Sequence, residues 1–377
     1  MTKYKILVVD DSVFMRKIIT DLIGEDPRFE VVDTARNGKE AVQKTKLLTP
    51  DAITMDIEMP EMNGLEALKL IMAEHPTPII MLSSLTEEGA KETIEALELG
   101  AIDFVRKPSG SISLDLFKVR EMLLEKLGVA VTSKVKSTAK PKAPQPIWKP
   151  IPKPETEAKR VSPKLTPLLP VLNHAARFNS SKVEQLVAIG TSTGGPRALH
   201  EVLTNLPGHF AAPIVIVQHM PPNFTRSLAQ RLDTNSEIKV VEAAHGMELE
   251  NGTAYIAPGG WHMGIERSDT NSYRVRLSKE EPRGGHRPCV DTMFETLIPL
   301  SELKRHVVLL TGMGSDGAQS MLSLRKAGAV QTIAESSETC VVYGMPRAAN
   351  ELGGAMVELP LNEIAPKLID SVAGIRM

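Results

Sequence analysis

Between Lys134 and Lys164 the chain carries nine basic residues against two acids, and prolines recur at 141, 144, 146, 150, 152, 154 and 163. A proline cannot donate to a backbone ladder, and it biases its predecessor away from the α region. Apolar residues are too sparse here to offset the entropy of ordering the segment. Residues 131–182 are therefore expected to form an extended, semi-stiff linker. That divides the 377 residues into two folding regions, 1–130 and 183–377. The linker's charge reads as solubilising and not as a nucleic-acid arm, because no aromatic interleaving accompanies it beyond Trp148.

The rest of the composition excludes several classes. A formal net charge of −2 offers no overall basic field to nucleic acid. Two cysteines, Cys289 and Cys340, cannot build a disulfide framework and are expected to stay reduced. The N-terminal "MTKYKILVVDD" is too short an apolar run for a leader or a span, and nowhere do about 18 apolar residues follow one another. The expectation is a cytoplasmic, multi-domain monomer with no membrane insertion.

Both regions alternate short apolar runs with helix-period segments. In the first, "KILVVDD", "EVVDTAR", "DAITMD", "PIIMLSS" and "IDFVRK" read as strands. In the second, "QLVAIG", "PIVIVQ" and "HVVLLTG" each lead into a helical pattern. Alternating βα units with right-handed crossovers predict α/β, doubly wound, mostly parallel sheets. "GTAYIAPGG" and "SYRVRLSK" read as strands that pair locally.

In open α/β sheets the functional crevice lies at the carboxyl ends of the strands. In the first region those ends carry Asp10 and Asp11, then Asp56, then Ser83 and Ser84, then Lys107. One such Asp alone is best read as a helix cap. The set together needs neutralising, which a hard divalent cation such as Mg2+ would do through oxygen ligands. A lysine and a hydroxyl beside it would suit a phosphoryl group. "VVDDS", "MDIEMPEMNGLEAL" and "LGAIDFVRKP" resemble a response-regulator receiver domain over about residues 3–127. The resemblance implies a flavodoxin-like fold with five parallel strands in the order 2-1-3-4-5. It implies Asp56 as phosphoacceptor and Mg2+ held by Asp10, Asp11, Asp56 and the Glu58 carbonyl. It also implies Ser83 and Lys107 as phosphoryl contacts and Phe104 as the aromatic switch.

The same reading of the second region places Ser192, His219 and Asp316 at or just beyond predicted strand ends. These are the residue types of a serine-hydrolase triad, in which an imidazole takes the hydroxyl proton and a carboxylate orients the imidazole. Each has a dull alternative: a helix cap for Ser192, a packed histidine for His219, a turn or cap for Asp316. His262, His286 and Asp291 compete as partners. "GTSTG" matches G-x-S-x-G, but the chain order Ser, His, Asp is not that of α/β-hydrolases. A phosphate cradle is a weak reading here, because the Walker lysine is missing and the glycine spacing is not that of G-x-G-x-x-G.

"IGTSTGGPRAL", "VIVQHMPPNFTRSLAQRL", "AYIAPGG", "HRPCVD" and "LLTGMGSDGAQSM" resemble the catalytic domain of the CheB family of chemotaxis protein-glutamate methylesterases. Thr191 stands where an alanine is common, and Gly260-Trp261 where polar residues are usual. The resemblance implies hydrolysis of glutamate methyl esters on chemoreceptors and deamidation of receptor glutamines, with no cofactor at the catalytic site. It implies oxyanion donors near Thr193 and Met313, and a chemotaxis histidine kinase as phosphodonor. Gly194 and Gly195 are expected to make room for substrate. Two other classes are weighed against this. A transcriptional regulator would need a basic helix-turn-helix output, which 183–377 lacks. A non-catalytic adaptor would survive loss of Ser192.

Overall fold

The computed structural model describes residues 3–84, 86–107, 113–133, 182–269 and 272–374. Most of the predicted linker, 134–181, lies outside the described residues.

The first region runs β1 (Tyr4–Val9), α1 (Val13–Gly24), β2 (Phe29–Ala35), α2 (Gly38–Leu48), β3 (Ala52–Asp56) and α3 (Gly64–Glu74). It continues through β4 (Ile79–Ser83), α4 (Glu87–Glu98), β5 (Asp103–Arg106) and α5 (Ser113–Ala130). The sheet order is β2-β1-β3-β4-β5, every pair parallel, as the sequence predicts. β3 and β4 are buried along their whole length, which explains their continuous apolar runs. The order reverses between β1 and β3, so Asp10, Asp11 and Asp56 flank the crevice that such a reversal opens.

The second region opens with β6 (Gln185–Thr191), α6 (Gly195–Thr204), β7 (Ile214–Gln218), α7 (Phe224–Asn235), β8 (Lys239–Glu242) and β9 (Thr253–Ile256). A hairpin, β10 (His262–Asp269) and β11 (Ser272–Ser278), leads to α8 (Val290–Leu297). β12 (Lys304–Leu309), α9 (Ala318–Lys326), β13 (Gln331–Glu335), α10 (Met345–Glu351), β14 (Val357–Leu359) and α11 (Leu361–Ala373) complete it. Seven parallel strands take the order β14-β13-β12-β6-β7-β9-β8. Here the order reverses between β12 and β6.

One pairing differs from expectation. β9 does not pair with β11 but sits inside the large sheet between β7 and β8, buried throughout. The antiparallel partner of β11 is β10, whose outer half alternates towards solvent. A four-residue strand buried on both faces carries no alternation from which to read its partner.

The two regions share apolar contact. α4 packs against α6 and α7, and one buried cluster runs from Leu7 and Ile53 through Phe104 to Phe224 and Ile216. Phe104 and Phe224 stack with centroids 4.6 Å apart and planes 9° apart. A pair of this kind adds about 0.5–1.5 kcal/mol beyond the area it buries. Among the described residues no helix is long and apolar enough to cross a membrane.

Candidate active site and acidic pocket

At the first reversal, Asp10, Asp11 and Asp56 bring ligand atoms within 4.8 Å of one another. None caps its own helix: Ser12 caps α1, and Asn63 with Glu66 forms a capping box on α3. Lys107 Nζ lies 2.9 Å from Asp10 Oδ2 and 2.6 Å from Asp56 Oδ2. The ammonium donates to both carboxylates, and apart from Lys107 neither oxygen has a hydrogen-bond donor among the described residues. Burial pushes the Asp56 carboxyl up to about 6, against the pull of Lys107. Burial also works against the Lys107 charge, but the two carboxylates outweigh it and raise its pKa. The pocket is an open cleft of about 210 Å³ lined by Asp11, Asp56, Glu58, Ser84 and Lys107 among others. Hard oxygen donors this close, two of them buried and undersatisfied, fit Mg2+.

Ser83 is not part of that wall. Its buried hydroxyl accepts from Thr93 Oγ1 at 2.7 Å and reaches the carbonyls of Ser84 and Gly89. Phe104 is buried against Phe224, as described above.

At the second reversal, Ser192 follows β6, whose last residue Thr191 pairs with Gln218 at the end of β7. His219 therefore lies beside Ser192 on the neighbouring strand, and its amide donates to the Thr191 carbonyl at 3.2 Å. His219 Nε2 bonds Asp316 Oδ2 at 2.8 Å. His219 Nδ1 is buried and has no hydrogen-bond partner among the described residues. No hydrogen bond joins the Ser192 hydroxyl to His219 there, a looseness common in unliganded sites.

Asp316 is the most heavily solvated group of the set, and protein donors do the solvating. Cys289 Sγ (3.1 Å), Val290 N (2.7 Å) and Asp291 N (2.8 Å) all donate to it. The dull reading of Asp316 as a cap is half right: it satisfies the first amides of α8, a helix earlier in the chain. Burial alone would raise its pKa, but His219 and these amides hold it well below the usual carboxylate range.

The turn after Ser192 is pinned from beneath. Thr311 O accepts from Ser192 N (3.1 Å) and Thr191 Oγ1 (2.9 Å), and Thr311 Oγ1 donates to Thr193 O (3.0 Å). Gln218 Nε2 donates to Ser192 O at 2.9 Å. A Cβ at Gly195 would overlap the Gln218 and Thr191 side chains, and one at Gly194 would press on Val341. This corrects the expectation for the glycines: they admit the inner support of the turn, because the side a Cβ would occupy faces the protein. Gly194 also takes a φ of 80°. Thr193 follows Ser192 and Met313 follows Gly312, which abuts Ser192; among the described residues neither amide donates to a backbone carbonyl outside the regular elements.

The competing residues separate cleanly. His262 Nε2 is bonded to the Glu281 carbonyl, and Asp291 Oδ1 accepts from Ser320 N and Oγ. His286 stacks on His219. Sequence reasoning missed Asp103, whose Oδ2 accepts from Thr193 Oγ1 across the two regions. It also missed Lys126, which bonds Asp103 Oδ1 and the Phe104 carbonyl. Asp103 lies in the stretch "LGAIDFVRKP" but has no role assigned by it, and Lys126 lies in none of the quoted stretches.

Comparison with known proteins gives the chain a family. Residues 187–368 match the CheB methylesterase family and residues 6–115 the response regulator receiver domain. A protein-glutamate methylesterase/protein-glutamine glutaminase of Geobacillus kaustophilus is 48% identical over 99% of each chain. One of Halalkalibacterium halodurans is 49% identical over 93% of each. The crystal structure of the Thermotoga maritima CheB methylesterase catalytic domain is 45% identical, covering 49% of this chain and 97% of that one, with a TM-score of 0.48. At such identity over nearly its whole length, the chain belongs to the CheB methylesterase family and carries a response regulator receiver domain before the catalytic one.

Proposed function

We propose that this protein hydrolyses glutamate methyl esters on methyl-accepting chemoreceptors in the cytoplasm and deamidates particular receptor glutamines. The names of its relatives support both activities. The observation that carries the chemistry is the His219 Nε2–Asp316 bond, which leaves Nδ1 unpartnered on the residue that neighbours Ser192 across the β6–β7 pairing.

Ser192 is the nucleophile. With Nε2–H donating to an anionic Asp316, the lone pair is on Nδ1, and Nδ1 takes the serine proton. The two ring nitrogens thus exchange the roles they have in the chymotrypsin arrangement. Attack on the γ-carbonyl gives a tetrahedral oxyanion, for which the Thr193 and Met313 amides are the donors. Removing one such donor typically costs about 3–4 kcal/mol of barrier. His219 returns its proton to the leaving methanol or ammonia. Water then attacks the acyl-serine, again giving its proton to Nδ1, and the products are free glutamate and Ser192.

Phosphorylation of Asp56 by the chemotaxis kinase regulates this site. In the arrangement described, Asp103 of the receiver domain holds Thr193, and Phe104 is stacked on the catalytic domain. Asp10, Asp11, Asp56 and the Glu58 carbonyl would hold Mg2+, which when bound offsets the negative charge that a phosphoryl group adds. Lys107 pairs with that group, and Ser83 turns its O–H from the Ser84 and Gly89 carbonyls to a phosphoryl oxygen. The receiver then loosens its hold on Thr193.

The test is methanol release from methylated receptor membranes, with and without a small-molecule phosphodonor. Release should rise with the phosphodonor and vanish in Ser192→Ala. Unchanged release in that variant would end the serine mechanism, and no release above background from the wild type would favour a non-catalytic adaptor.

A further inference from the structure

One stretch of chain grips both partners of Ser192. Arg283, Gly284, Gly285 and His286 form a two-residue turn closed by Arg283 N to His286 O (3.1 Å) and His286 N to Arg283 O (3.0 Å). The central glycines take φ of 60° and 83°. Positive φ at both central residues is what a tight primed turn requires. The turn is anchored one residue further on: Gly260 N donates to Arg287 O, and the Arg287 guanidinium bonds the carbonyls of Lys279 and Glu280. Cys289, Val290 and Asp291 then hold Asp316. The turn delivers the His286 ring flat onto His219, with centroids 3.9 Å apart and planes 7° apart.

His219 has one polar tether, at Nε2. A single bond at a ring nitrogen leaves the imidazole free to swing about its χ2, which is a broad torsion. A stacked ring removes that freedom. We propose that His286 is a positioning residue for the Ser192 reaction: it fixes the plane of the His219 ring so that Nδ1 faces Ser192, and its π-face stabilises the imidazolium that His219 becomes. This rests on the reading above that His219 takes the Ser192 proton.

A neutral aromatic face attracts a cation, whereas a second imidazolium would repel it. The residue as a whole is exposed, but one face of its ring is covered by His219, and desolvation of the ring, then the charge of His219, lower its pKa to about 4. It is therefore neutral where the hydrolase would work.

The experiment compares wild type, His286→Ala and His286→Phe in the full chain, activated with a small-molecule phosphodonor. Two rates are read: covalent labelling of Ser192 by a fluorophosphonate, and methanol release from methylated receptor membranes. His286→Ala should slow labelling and lower kcat by roughly tenfold each, with KM within twofold. His286→Phe keeps the stack without a titratable nitrogen and should recover both rates to within about threefold of wild type. Labelling of the Ala variant at the wild-type rate would overturn the proposal. So would a Phe variant as slow as Ala, or a raised KM with kcat unchanged. Labelling that persists in Ser192→Ala would overturn the Ser192 reading itself and is distinguishable from all of these.

Discussion

Asp56 ends β3 where the first sheet reverses its strand order, and Asp316 follows β12 where the second sheet does. Both are largely buried carboxylates at the same topological position, and the protein treats them in opposite ways. Asp56 has a second carboxylate and one lysine beside it, and burial pushes it up to about 6. Asp316 has an imidazole, a thiol and two helix-terminal amides, and its pKa is held far down. Asp56 is left short of positive charge, a state suited to receiving a cation and a phosphoryl group. Asp316 is supplied with every donor it needs, a state suited to remaining an anion through a catalytic cycle. The crevice at a strand reversal thus supplies a location, and the donor set around it supplies the chemistry.

The largest expected effect comes from denying Asp316 its charge. In Asp316→Asn an amide group facing Nε2 donates to it, and the ring must then carry its proton on Nδ1, towards Ser192. That is the wrong tautomer for a base. Methanol release should fall on the order of 10⁴-fold with little change in fold. A loss below tenfold would show that the heavy solvation of Asp316 serves the α8 terminus alone.

The undersatisfied pocket makes the contrary prediction, that its acid responds to pH and metal. Asp56→Asn should abolish activation by a phosphodonor and leave the unphosphorylated hydrolysis rate within about twofold. In the wild type, Mg2+ must meet an ionised Asp56. A pKa raised to about 6 means that the carboxylate is protonated below that pH. Affinity should then weaken by about tenfold for each unit below pH 6 and level off above it. Titration of Mg2+ by calorimetry at several pH values checks this. A flat profile from pH 7 to 5 would remove the distinction drawn between the two carboxylates.

The two sites were not equally legible. The acids of the first are local: Asp10 and Asp11 end one predicted strand and Asp56 another, and one lysine completes them. Ser192, His219 and Asp316 were legible for the same reason. What surrounds Asp316 was not, because Cys289 and the α8 amides come from a segment that no periodicity connects to β12. The role of Gly195 was misread because a glycine in sequence shows freedom, and only packing shows which side needs it. The partner of β9 was misread because a short strand buried on both faces has no pattern to match. Lys126 lies outside every motif and Asp103 has no assigned part in the one that contains it, and their importance arises only where the two domains meet.

That meeting sharpens the comparison, since it places a third carboxylate beside the serine site. Asp103 accepts from Thr193 Oγ1, on the residue whose amide is the proposed oxyanion donor. A charge-assisted bond to a largely buried carboxylate contributes about 1.5–3 kcal/mol. Asp103→Ala should therefore raise unphosphorylated methanol release by roughly tenfold while leaving the phosphodonor-activated rate unchanged. Equal rates in the variant and the wild type without phosphodonor would mean that Asp103 does not hold the site closed.

The smallest effect belongs to the ion pair at the rim of the same interface. Arg231 reaches Glu98 Oε1 and Oε2 through Nε and Nη2, at 2.8–3.1 Å. The geometry is bidentate, but the arginine side chain is half exposed, at 49%. Water screens such a pair, and ordering two long side chains costs much of what the contact returns, so it is worth about 0.2–1 kcal/mol. Arg231→Ala should raise unphosphorylated release by at most about fivefold, and added salt should shrink the difference further. The contrast with Asp103 is a contrast of burial: both contacts join the same two domains with a carboxylate of the first. If Arg231→Ala activated the enzyme as strongly as Asp103→Ala, the hold on the site would lie in the docking of the domains as bodies. A carboxylate placed against Thr193 would then have no special part in it.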